Sequence, residues 1–87
     1  MADNPTANHR PHVVEITVNK RPVRIEGPRV TGLEIKQAAI AQSVPIDLDF
    51  QLAELLESGR RKIVSDADSV TVHGGSSFVA TAADDNS

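Results

Sequence analysis

The chain has 87 residues, twelve acidic against nine basic, a formal charge of −3, no cysteine, and two aromatic residues, Phe50 and Phe78. That length allows one domain with an aliphatic core, and the missing cysteine excludes disulfides, thiolate metal sites and a cysteine nucleophile. The net negative charge and the scarcity of aromatic side chains argue against nucleic acid as a partner, because phosphates call for a concentrated positive face and single strands for stacking platforms. No apolar run approaches the ~18–20 residues of a membrane span, and MADNPTANHRPH lacks the apolar region of a signal peptide, so no membrane partner and a cytoplasmic location are expected.

Residues 1–11 hold nothing to bury and read as a disordered N-terminal arm. HVVEITVN then alternates, with Val14, Ile16 and Val18 on one face and Glu15 and Thr17 on the other, the period of a strand with one buried side. Asn19-Lys20-Arg21 supplies a turn. Pro22 can begin a strand but cannot serve a central ladder bond, and Val23 and Ile25 resume the alternation, so a hairpin is expected.

Gly27-Pro28 ends the hairpin. Thr31 and Glu34 form a T-x-x-E capping box, which predicts a helix over about 31–43. Its stripe is Ile35, Ala38, Ala39 and Gln42, with Lys36 and Gln37 expected to face out, and Pro45 stops it. IDLDFQLAELLESG is ambiguous. Phe50, Ala53 and Leu56 recur at helical spacing, whereas Phe50 and Leu52 also alternate. A hairpin and one helix do not complete a stable sheet, which turns the reading towards a strand from about Asp49 to Leu55. Lys62-Ile63-Val64 reads as a short strand, SDADS as a polar turn, Val70 and Val72 as a short extended piece, and Phe78 to Thr81 as a final strand.

This order predicts an α+β fold, a β-grasp in which one helix is clasped by a mixed sheet over residues 12–81, followed by a flexible tail at 82–87. VEITVNKRPVRIEGPRVTGLEIKQAA resembles the ubiquitin-like superfamily, most closely its bacterial multiubiquitin-type branch. The FQL segment, the SGRRK turn, DADSV, and Gly74, Gly75 and Phe78 before the last strand continue the likeness over about residues 13 to 81. The resemblance implies a strand at the ambiguous stretch, and a protein modifier rather than an enzyme, with no cofactor of its own. It also implies partners: an adenylating activating enzyme, a conjugating enzyme, a processing or deconjugating metallopeptidase, and target proteins joined by an isopeptide bond.

In such a modifier the reacting carboxylate belongs to Asn86 or Ser87, and Thr81, Ala82, Ala83, Asp84 and Asp85 form the narrow segment that threads into an enzyme channel. The family's common Gly-Gly ending is absent. The tail is therefore trimmed, with Ser87 removed, or used as it stands, or inert. Cleavage after Gly75 would create a Gly-Gly end but would delete Phe78 and Val79. A non-covalent adaptor is the alternative function, docking through the sheet face or its edge strand, and a sulfur carrier is the weaker one.

Other constellations carry less. Arg60, Arg61 and Lys62 form a basic cluster that could dock acidic partner residues. Lys20, Lys36 and Lys62 could accept a second modifier. HGGSS at 73–77 lacks the G-x-S-x-G elbow of a hydrolase. His9, His12 and His73 have no paired metal spacing, and Asp66 and Asp68 lack the glycine and distal Glu of a calcium loop, so no metal is expected.

Overall fold

A computed structural model describes residues 12–82. The arm expected over residues 1–11 lies outside the described residues. The first alternating run forms β1 (His12–Val18) and the second β2 (Arg21–Gly27), paired antiparallel from Val18 opposite Arg21 to His12 opposite Gly27. Only Asn19 and Lys20 make the turn, with φ of 53° and 69°. Two successive left-handed residues are the geometry whose twist matches the flanking strands, and asparagine tolerates it well.

A three-residue strand, β3 (Arg29–Thr31), leads into helix α1 (Gly32–Ala41). The capping box closes as the sequence predicts: the Glu34 amide donates to Thr31 Oγ1 at 3.2 Å and the Thr31 amide to Glu34 Oε1 at 2.8 Å. At the other end Gln42 caps the helix and Ser43 turns left-handed at φ 76°. The amides of Ser43 and Val44 then return to the carbonyls of Ile40 and Ala39 at 3.1 and 2.9 Å. This paired closure satisfies carbonyls that a helix end otherwise leaves open, one turn before Pro45 would forbid continuation.

The ambiguous stretch becomes β4 (Gln51–Leu55), preceded by a turn in which the Phe50 amide donates to Asp47 O at 3.1 Å. It is followed by β5 (Arg61–Val64), β6 (Ser69–Thr71) and β7 (Ser77–Thr81). Five strands make one sheet in the order β2-β1-β7-β4-β5, with β1 and β7 parallel and the remaining pairs antiparallel. This is the α+β β-grasp, with α1 across the sheet. One feature departs from the expected single sheet: β6 pairs with β3 in a separate two-stranded ladder. Three-residue strands carry too little periodicity to reveal a partner forty residues away in sequence (Arg29 opposite Thr71).

β7 is the centre of the sheet, between β1 and β4, and its Phe78 is 1% exposed. Around Phe78 the core is aliphatic: Ile16, Val18, Val23, Ile35 and Leu52 are buried, and Phe50 packs partly buried at its margin.

Lys36 corrects the sequence reading. It is 4% exposed rather than facing out. Its ammonium donates to the carbonyls of Leu48 at 2.6 Å and Phe50 at 2.9 Å, and pairs with Asp66 Oδ1 at 2.6 Å. Three donors meet three oxygens, so the buried charge is fully satisfied. The SDADS turn supplies that carboxylate and also offers the carbonyls of Asp68 and Asp66 to the first helical amides, Gly32 and Leu33, at 3.1 and 3.2 Å.

Candidate functional site

The last strand positions the segment on which a modifier would depend. Phe78 and Ala80 point into the core, while Ser77, Val79 and Thr81 take the other face. β1 runs beside β7 in parallel, with the Thr17 amide donating to Ser76 O and the Asn19 amide to Phe78 O, both at 2.9 Å. At Asn19 the β1 main chain turns away into the hairpin. Its side chain then continues the ladder: Oδ1 accepts from the Ala80 amide at 2.8 Å and Nδ2 donates to Ala80 O at 3.0 Å. A side-chain amide has the same donor–acceptor pair as a peptide unit, so it replaces the missing strand at that step.

The inward-facing positions of β7 therefore end at Ala80, 4% exposed, one residue before the strand itself ends. Thr81, opposite Gln51 at the rim of the sheet, and Ala82 after it are exposed. Of the expected threading residues these two are described. Ala83, Asp84 and Asp85, and the proposed reacting residues Asn86 and Ser87, lie outside the described residues.

Gly74 and Gly75 form a turn into β7. Gly75 adopts φ 93°, a conformation that L side chains avoid, and its amide donates to Glu15 O at 3.1 Å. The His73 amide and the Ser76 hydroxyl close the same turn at 3.0 Å. Cleavage after Gly75 would remove the central strand with Phe78, whose truncation alone in such a core costs ~3–5 kcal/mol.

The basic cluster lies at the opposite edge of the sheet from the hairpin. Arg60 closes the β4–β5 turn by accepting from the Leu56 amide at 2.8 Å, and Arg61 and Lys62 open β5. All three are exposed, and none forms an ion pair with a described residue. On the outer sheet face beside them lie Ile63, Ala53 and Val79, aligned across β5, β4 and β7. Ile63 is 52% exposed and neighbouring Leu55 40%.

Of the candidate acceptor lysines, Lys20 and Lys62 are exposed. Lys36 is not available, since its amine is enclosed by Leu48, Phe50 and Asp66. Asp68 is occupied too, its carboxylate accepting from the Ser65 amide at 2.9 Å. No group of three metal-binding side chains gathers among the described residues, and no helix among them is long and apolar enough to cross a membrane.

The profile of the multiubiquitin family matches residues 14–84, the greater part of the chain. The chain belongs to the multiubiquitin family. The match runs from β1 through β7 and past Ala82, so the final strand and its exit are family territory. No curated protein and no solved structure matches the chain.

Within this multiubiquitin domain the sequence reading missed the Asn19 clamp, the buried Lys36 and one further contact. Gln42 binds the main chain of Arg24 on β2, its Oε1 accepting from the amide at 2.8 Å and its Nε2 donating to the carbonyl at 2.6 Å. The sequence held one signal for the first: asparagine at a turn position that requires a left-handed backbone.

Proposed function

We propose that this multiubiquitin-family domain is a protein modifier whose segment after Ala80 is the part handed to enzymes. In this reading an activating enzyme adenylates the carboxylate of Asn86 or Ser87, the carboxylate oxygen attacking the α-phosphate of ATP and pyrophosphate leaving. A nucleophile of a conjugating enzyme displaces AMP, and a target amine then displaces that nucleophile to leave an amide. A metallopeptidase trims or removes the modifier. The domain's own share is mechanical: to end its fold abruptly and to present a narrow chain.

The observation that carries the proposal is the change between Ala80, buried and clamped by Asn19, and Thr81 and Ala82, exposed at the rim. Small side chains in ATAADD suit passage through a channel. The test is incubation with ATP and the cognate activating enzyme, read by intact mass and by a gel shift on target proteins. A chain lacking Ala82–Ser87 is expected to give no adenylate and no conjugate. Full conjugation by that truncated chain would end the proposal. A non-covalent adaptor is the second reading, favoured by exposed Ile63 beside Arg61, with half-buried Val79 farther along the same face. It predicts that the truncation changes nothing.

A further inference from the structure

The two edges of the five-stranded sheet are built differently, and the difference assigns one of them a partner. β2 forms one edge and β5 the other. In an antiparallel ladder opposite residues alternate between pairs that exchange both main-chain hydrogen bonds and pairs whose main-chain groups point away. A two-residue hairpin closes on a bonded pair, so Val18 and Arg21 are bonded. By alternation the groups of Pro22, Arg24 and Glu26 point outward. Proline has no donor to offer, and Arg24 has both its groups taken by Gln42. Two of the three outward positions of β2 are closed, and an incoming strand has no register on which to pair.

The same count on β5 gives the opposite result. The Leu56 amide bonds to Arg60 O, so the main-chain groups of Leu56 and Arg60 face each other at the turn, although the Leu56 carbonyl accepts from the Gly59 amide. Alternation then turns Lys62 and Val64 towards β4 and leaves Arg61 and Ile63 facing outward. No described main-chain or side-chain group bonds to them, β5 carries no proline, and Arg61, Lys62 and Ile63 are exposed. An open edge is a template for another strand.

Charge selects the strand. A second β5 laid alongside would bring Arg61 and Lys62 against their own copies, so self-pairing is opposed. An acidic strand is favoured, and Ile63 at 52% exposure beside Ala53 and Val79 offers it an aliphatic contact on the outer face.

We propose that the β5 edge is a docking site for an extended acidic segment of another protein. That segment adds a sixth strand, pairing its main chain with Arg61 and Ile63. It sets an aliphatic residue beside Ile63 and carboxylates beside Arg60, Arg61 and Lys62. This stands whether or not the segment after Ala80 is activated, because the two lie on different strands and neither needs the other.

The experiment is amide hydrogen exchange by NMR on the full chain with the synthetic peptide Val-Val-Asp-Asp-Val-Val-Asp-Asp. Exchange at Arg61 and Ile63 is expected to slow about tenfold at saturation, while Lys62, Val64 and the β2 amides stay unchanged. Replacing Asp by Lys in the peptide should remove the effect. Ile63→Pro deletes one outward donor without touching the β4 ladder and should abolish binding. If that variant does not fold, Arg61→Glu serves instead and should reverse the preference between the two peptides. Equal binding of both peptides, protection at β2 instead of β5, or no protection at Arg61 and Ile63 overturns the proposal. So does stronger binding of a peptide of residues 80–87, which would make a second copy of this chain the occupant.

Discussion

The helix start and the exit of the last strand differ in how many independent contacts hold them. At the helix start, Gly32 approaches the Ser65–Asp68 turn so closely that an added Cβ would lie 2.3 Å from Ser65 O. The same region carries the capping box, the Lys36–Asp66 pair and two amide bonds from the helix to the turn. At the strand exit the main-chain groups of Ala80 that face the β1 side rest on one side chain, Asn19, with two hydrogen bonds, while β4 pairs on as far as Thr81 opposite Gln51. The first region is held redundantly, whereas the β1 side of the second hangs on a single residue.

The contrast can be broken most forcefully at Gly32. Gly32→Ala must displace backbone, not a flexible side chain, and should cost about 3 kcal/mol, read as a lower urea midpoint with an unchanged slope. Lys36→Met comes next. It leaves the Leu48 and Phe50 carbonyls without their donor and Asp66, half-exposed, without its partner, for about 2 kcal/mol by the same measurement.

At the exit the effects are smaller and more local. Asn19→Ala should lower global stability by about 1 kcal/mol while amide exchange at Ala80 rises far more than at Phe78, which lies opposite Val18 in the β1–β7 main-chain ladder and does not depend on the Asn19 side chain. Equal acceleration at both would mean that Asn19 supports the whole strand instead of the Ala80 step. Lys20→Gly sharpens the comparison with the opposite sign. Relieving the φ of 69° at the turn should stabilise by about 0.5–1 kcal/mol and leave the Asn19 clamp in place.

What could be read in advance follows the sequence distance of the contacts. The capping box spans three residues, and the hairpin joins neighbours, so local pattern reported both. The β4 stretch misled local pattern, because Leu, Ala and Glu favour helix. It formed a strand because Leu52 is sandwiched between Ala80 and Val64 in the ladder. Lys36 looked like a solvent-facing residue next to Ile35, since the carbonyls that bury it come 12 and 14 residues later. Asn19 and Ala80 lie 61 apart, beyond any periodicity. The basic cluster was legible as charge, but its place on an open edge was not.

By itself the sequence determined the alternating strands, the capped helix, the aliphatic core and the family, because each is written in spacing or composition over short windows. Tertiary structure alone decided which edge is sealed by Gln42 and which is open, which lysine is enclosed, and which side chain takes over from β1 beside Ala80. Those outcomes depend on main-chain groups, whose hydrogen-bonding capacity is common to nearly every residue and so leaves no trace in the order of side chains.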